Sequence, residues 1–176
     1  MTTTTVHILH SSHREALIEH LVTADLMTVL WKQDTFMEVL KPQVDDRGYD
    51  VVFEANGVIR HVQLKASFEG STVNRVNVNA QLGTKPSGCV VFVRFDRDTL
   101  ARSYAFFGGK PRRPLPDLTG FKIAKHTKGN ANGVKAERPN LRTVALSQFE
   151  SIGDARALAH LLFGRPRVSG GGASAS

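Results

Sequence analysis

The chain has 176 residues, 41% hydrophobic and 7% aromatic, enough for one core of ordinary density; a second full domain and intrinsic disorder are both disfavoured. Cys89 is its single cysteine, which excludes an intrachain disulfide framework and a thiolate zinc set and suits a reducing cytoplasm. The net charge of +7 is unevenly spread: residues 1–109 carry 11 Lys/Arg against 12 Asp/Glu, whereas residues 110–176 carry 12 against 4.

From the N-terminus, Met1-Thr-Thr-Thr-Thr-Val lacks a signal-peptide pattern, and no run approaches the ~20 apolar residues that span a bilayer. Ser12 with Glu15 matches a capping box, and Leu17, Ile18, Leu21, Val22, Leu26, Val29 and Leu30 recur in helical phase, predicting a helix from Ser12 to Trp31. Phe36 to Lys41 reads as a short strand stopped by Pro42, followed by the turn-rich Asp45-Asp46-Arg47-Gly48. The strongest local signal comes next. Val51–Ala55 and Val58–Lys65 flank Asn56-Gly57, the preferred pair for a two-residue hairpin turn. Val73–Val78 suits a strand, Asn79–Leu82 a short helix, Cys89–Phe95 a buried strand and Ser103–Phe107 an edge strand. Residues 108–140, rich in Gly, Pro, Lys and Arg, are expected to be mostly irregular, and such long segments tend to be functional. Residues 147–163 read as a final helix, and Ser169 begins a Gly/Ser tail of flexible composition. The organisation expected is one domain over 1–167, with a core of about 12–107, a basic extension over 108–146 and a helix over 147–163, followed by the tail 168–176.

If Asn56-Gly57 is the turn, counting back along both strands sets Asp50 opposite Gln63, while alternation puts Lys65 on the same face as Gln63 and opposite Gly48, which has no side chain to obstruct it. The other face carries Val51, Phe53, Ala55, Val58, Val62 and Leu64, interrupted by Arg60, and belongs to a core. A carboxylate, an amide carbonyl and an ammonium in one place suit phosphodiester hydrolysis: oxygen ligands hold Mg²⁺ (Mn²⁺ is an alternative), and lysine stabilises the charged participants. A solvated polar face on an amphipathic hairpin is the competing reading.

The stretch Asp50-Val-Val-Phe-Glu-Ala-Asn-Gly-Val-Ile-Arg-His-Val-Gln63-Leu-Lys65 resembles the core of the PD-(D/E)XK, restriction-endonuclease-like superfamily, in which an acidic residue starts one strand and an (Asp/Glu)-x-Lys triplet lies on the next. Gln63 departs from the usual acid, though some members carry Gln there. The resemblance covers roughly residues 12–95. It implies an α/β fold with a three-layer core, a mixed sheet, and a central hairpin flanked by helices. It also implies metal ligation by Asp50 and Gln63 and a water-activating or orienting role for Lys65. Glu19, Val22, Leu26 and Trp31 fit the helix pattern of the branches resembling archaeal junction resolvases and Mrr-like enzymes, which makes Glu19 a further ligand and Glu15 the second choice.

Lys110, Arg112, Arg113, Lys122, Lys125, Lys128, Lys135, Arg138 and Arg142 are the candidate phosphate contacts, with DNA the expected partner and a homodimer or partner subunit as a further possibility. Phe106, Phe107 and Phe121 suit core packing better than base stacking. His7, His10 and His13 are spaced by three, but no Cys or carboxylate completes a zinc set, and the glycines follow no P-loop pattern. His61 reads as a structural histidine and His126 as a phosphate contact. The expected function is a metal-dependent nuclease, a hydrolase acting on DNA. The alternatives are a nucleic-acid-binding module without catalysis and a subunit of a restriction, repair or defence assembly.

Overall fold

A computed structural model of the chain describes residues 11–44, 47–129 and 131–165. His7, His10, the Asp45-Asp46 pair and the tail from Ser169 lie outside these residues. The elements in chain order are α1 (Ser11–Trp31), β1 (Glu38–Leu40), β2 (Val51–Ala55), β3 (Val58–Phe68), β4 (Arg75–Asn79), a 3₁₀ turn (Ala80–Thr84), β5 (Gly88–Phe95), β6 (Arg102–Gly108), β7 (Lys122–Lys125), β8 (Glu137–Ala145), a 3₁₀ turn (Leu146–Gln148), β9 (Glu150–Ile152) and α2 (Ala155–Phe163).

Two sheets result, a six-stranded one in the order β1-β2-β3-β5-β6-β9 and a three-stranded one in the order β4-β8-β7. The larger sheet is mixed, since β3 and β5 run parallel while its other neighbours are antiparallel. Asn56 and Gly57 both have positive φ, 52° and 65°, as a type I′ turn requires, and Ala55 pairs with Val58 as the two-residue turn predicts.

Alternation along the strands sorts the apolar residues into two cores. On one face Val51, Phe53, Val62, Val91, Val93 and Phe106 pack against Ile18, Val22, Leu26 and Leu30 of α1 and Leu158, Ala159 and Leu162 of α2. On the other, Val90, Phe92 and Phe107 pack against Val76, Val78 and Val144 of the small sheet. The layers are therefore helices, large sheet and small sheet. Among the described residues both helices pack on one face of the large sheet, where the family resemblance implied helices flanking the hairpin, and the small sheet packs on the other face over β5 and β6.

Several local expectations are corrected. Ser12 is already helical, since α1 begins at Ser11. Strand β6 is interior, because β9 pairs with it from the residues expected to start the final helix. That helix begins only at Ala155, where Asp154 caps it by accepting a hydrogen bond from the Ala157 amide at 2.7 Å. Phe149 and Ile152 look helical in phase but lie in different cores. The stretch 108–140 contains β7 and the start of β8, with Pro139 tolerated because it falls in the bulge between the Ile123–Arg142 and Ala124–Arg138 pairs. Phe106 and Phe107 are buried and Phe121 packs edge-on against Phe107, which is the core role expected of them.

Candidate functional site

The face of β3 turned away from the helices carries Gln63 and Lys65, and β2 enters the sheet directly after Asp50. The paired ladder ends at Val51–Val62, so Asp50 is not in strand register with Gln63 as counting from the turn suggests. Instead, its amide donates to Val62 O at 2.9 Å and its Oδ2 accepts from the Leu64 amide at 2.6 Å, which carries the carboxylate alongside Gln63. Gln63 is buried, 6% exposed, and its Oε1 accepts from the Asn79 amide at 3.2 Å. Asn79 in turn caps the following 3₁₀ turn through Gln81 N. Gly48 completes the contact: at φ 80° it lies so close that a Cβ would come within 2.6 Å of Asn79 Cβ.

Asp50, Gln63 and Lys65 line one cleft of about 470 Å³, with Asn77, Asn79 and Arg138 contributing further polar groups and Phe92 and Leu141 apolar wall. Among the described lining residues one carboxylate stands with one ammonium and one guanidinium, a balance that favours an anionic ligand. Of the nine candidate phosphate contacts, Arg138 alone lines this cleft. Arg112 donates to Gly57 O at 3.0 Å, which puts it at the turn end of the hairpin, the far end of β2 from Asp50. Lys110 and Arg113 belong to the same exposed segment. Arg142 donates to Pro139 O at 2.6 Å and braces its own bulge. Lys122 and Lys125 are exposed on β7, and Lys128 and Lys135 on the connection to β8.

Glu19 pairs with Lys41 at 2.5 Å and does not line the cleft; Glu15 is exposed on α1. Among the described residues no three His, Cys, Asp or Glu side chains gather as a metal cage. The oxygens offered by the expected site are the Asp50 carboxylate and the Gln63 carbonyl, whose second lone pair is left over after the Asn79 contact. Such a set fits Mg²⁺ of the kind held by one carboxylate and completed by substrate phosphate, as opposed to an all-protein cage.

His61, on β3, is half-buried; its ring meets Tyr49 edge-on at 4.9 Å, and its buried Nδ1 has no hydrogen-bond partner among the described residues. Burial, with the Lys85 ammonium adding to it, pulls its imidazole below the ordinary value. It packs against Tyr49, but the hydrogen bond expected of a structural histidine is not made at Nδ1 among the described residues. His126 is exposed. The residues that sequence reasoning missed are Asn77 and Asn79, whose alternation in Val76-Asn-Val-Asn79 marks a polar strand face, and Arg75 and Arg94, which line a neighbouring cavity.

Compared with known proteins, the chain matches no family model, no curated protein and no solved structure. No described helix is long and apolar enough to cross a membrane.

Proposed function

We propose that the chain is a metal-dependent nuclease that hydrolyses phosphodiester bonds in DNA, with Asp50, Gln63 and Lys65 as its reacting centre. The observation that carries this reading is the meeting of those three residues with Arg138 in a single cleft. Asp50 and Gln63 would hold Mg²⁺ or Mn²⁺, and a bound ion supplies Lewis-acid polarisation of the phosphate and acidification of water. Asp50, tied by Leu64 N–H, presents a fixed carboxylate. Lys65 neutralises charge building on the phosphoryl oxygens and orients the attacking water, and Arg138 binds the substrate phosphate through its planar fork. Glu19 enters this reading through the family resemblance alone, its carboxylate being paired with Lys41.

A second reading, a binding module without catalysis, is favoured by Gln63 itself: a neutral amide stands where an acid is usual, and its oxygen already accepts from Asn79. Incubating wild type and Lys65→Ala with linear, circular and branched DNA and with RNA, in Mg²⁺, Mn²⁺ or EDTA, separates the two. Under the nuclease reading wild type cleaves only with metal, and the variant is slower by on the order of 10²-fold or more. Absence of cleavage, with salt-dependent binding kept by both proteins, selects the binding module.

A further inference from the structure

A second and larger cavity, about 740 Å³, adjoins the cleft; among the described residues it is lined by three cations, Arg75, Arg94 and Lys122, and by no carboxylate. The two spaces share Val73. They also share one face of the small sheet. Strand register sets Asn79 beside Leu141, then Asn77 beside Thr143, then Arg75 beside Ala145, with Lys122 also beside Thr143. The first pair lines the cleft and the last lines the cavity; at the boundary Thr143 Oγ1 donates to Asn77 Oδ1 at 3.1 Å. From Asn79 to Arg75 the face runs four strand steps, about 13 Å, without crossing an acid.

The three cations differ in what they can offer. Arg94 donates to the carbonyls of Phe68, Ser71 and Val73, which fixes the connection after β3 as the cavity rim and leaves its charge in the wall. Among the described residues Arg75 bonds only the neighbouring Asn74 side chain through Nε, at 3.2 Å, and Lys122 is exposed. Their remaining donors are available to a ligand. A small anion would be served by either space alone; a track joining them suits a linear polyanion.

We propose that this cavity is a strand-binding subsite: one single strand of nucleic acid, with a phosphate at Lys65 and Arg138, passes over the Asn77–Thr143 bridge, and its following phosphates are held by Arg75 and Lys122. The inference rests on the nucleic-acid reading above and adds to it the path of the strand. Both side chains lie at the surface, so their replacement leaves the two cores intact.

The test is fluorescence anisotropy on the full chain in EDTA, with labelled single-stranded DNA of about 4 and about 12 nucleotides, lengths that bracket short and long occupancy of such grooves. The double variant Arg75→Ala/Lys122→Ala is expected to bind the longer strand roughly tenfold more weakly. The slope of log affinity against log salt should be smaller by about 1.4, that is ~0.7 for each phosphate no longer neutralised. Binding of the shorter strand should change little, and Arg75→Lys/Lys122→Arg should restore most of the affinity. An unchanged affinity for the longer strand, equal weakening at both lengths, or failure of the charge-retaining variant would each overturn the subsite while leaving the nuclease reading standing. Wild type that binds neither strand would remove the underlying reading and the subsite with it.

Discussion

At Arg60 the alternation of β3 puts a guanidinium into a face that is otherwise core, and the sequence shows it only as an interruption. The structure supplies the reason: Nε donates to Leu162 O at 2.7 Å, and the two terminal nitrogens donate to Leu161 O at 3.0 Å and Gly109 O at 3.1 Å. Two of these carbonyls end α2, where helix geometry leaves acceptors unpaired and the dipole favours a cation. Burial still lowers the guanidinium from its ordinary value, and it pushes the nearby Cys89 thiol up to about 12. Arg60→Met should therefore destabilise the fold by about 3 kcal/mol, through carbonyls left unpaired more than through poorer packing, and urea denaturation would measure it. His61 gives a pH-dependent counterpart. Its folded pKa is depressed below the ordinary 6.5, so the unfolded chain takes up the proton first, and its contribution is intact above that value and lost as pH falls towards the folded pKa. His61→Phe should flatten this acid-side decline in melting temperature between about pH 7 and 5. The convergence of Gln63 and Lys65 was legible because strands repeat every two residues. The Asp50 link to Leu64 N was not, since it arises where the ladder ends.

Elements were legible in proportion to their local signals. The Asn56-Gly57 hairpin follows from turn chemistry alone, and α1 from its apolar stripe, although Trp31 at its end is 68% exposed and meets Phe36 edge-on. Strand β7 was not legible, because only Ala124 of its four residues is buried and the charge of the segment hides a pairing made with distant β8. Residues 147–152 were misread for a related reason: Phe149 and Ile152 share a helical phase but serve two cores on opposite sides of a sheet, which a periodicity argument cannot separate. The entrance to β2 is the element on which the cleft depends. Adding a methyl at Gly48 would both strain a left-handed backbone and push on Asn79, which holds Gln63. Gly48→Ala is expected to cost about 1–3 kcal/mol. Under the nuclease reading it also impairs metal-dependent cleavage more than a surface variant of equal stability, a comparison that steady-state kinetics with matched thermal unfolding would make.

For the molecule as a whole, the helices and strands read from local patterning agree with the mixed α/β architecture observed, and the charge asymmetry corresponds to a basic small sheet and its loops set beside a less basic helical layer. What composition could not show is that the basic segment itself folds into that sheet and closes the cleft with Arg138 and Leu141. If these charges bind DNA, log affinity falls with log salt, and replacing Lys125 and Lys128 with alanine lowers the slope by about one for each phosphate released; equilibrium binding at several salt concentrations measures it. The order of the strands has a consequence in time. The β1–β6 segment is complete at Gly108, yet the partner of β4, strand β8, ends only at Ala145. At synthesis rates of about 5–20 residues per second, a ribosome takes roughly 2–7 s to add that stretch. Throughout that interval the nascent chain lacks the strand that will cover Val90, Phe92 and Phe107, so one of its two cores stays open until the cleft itself can form.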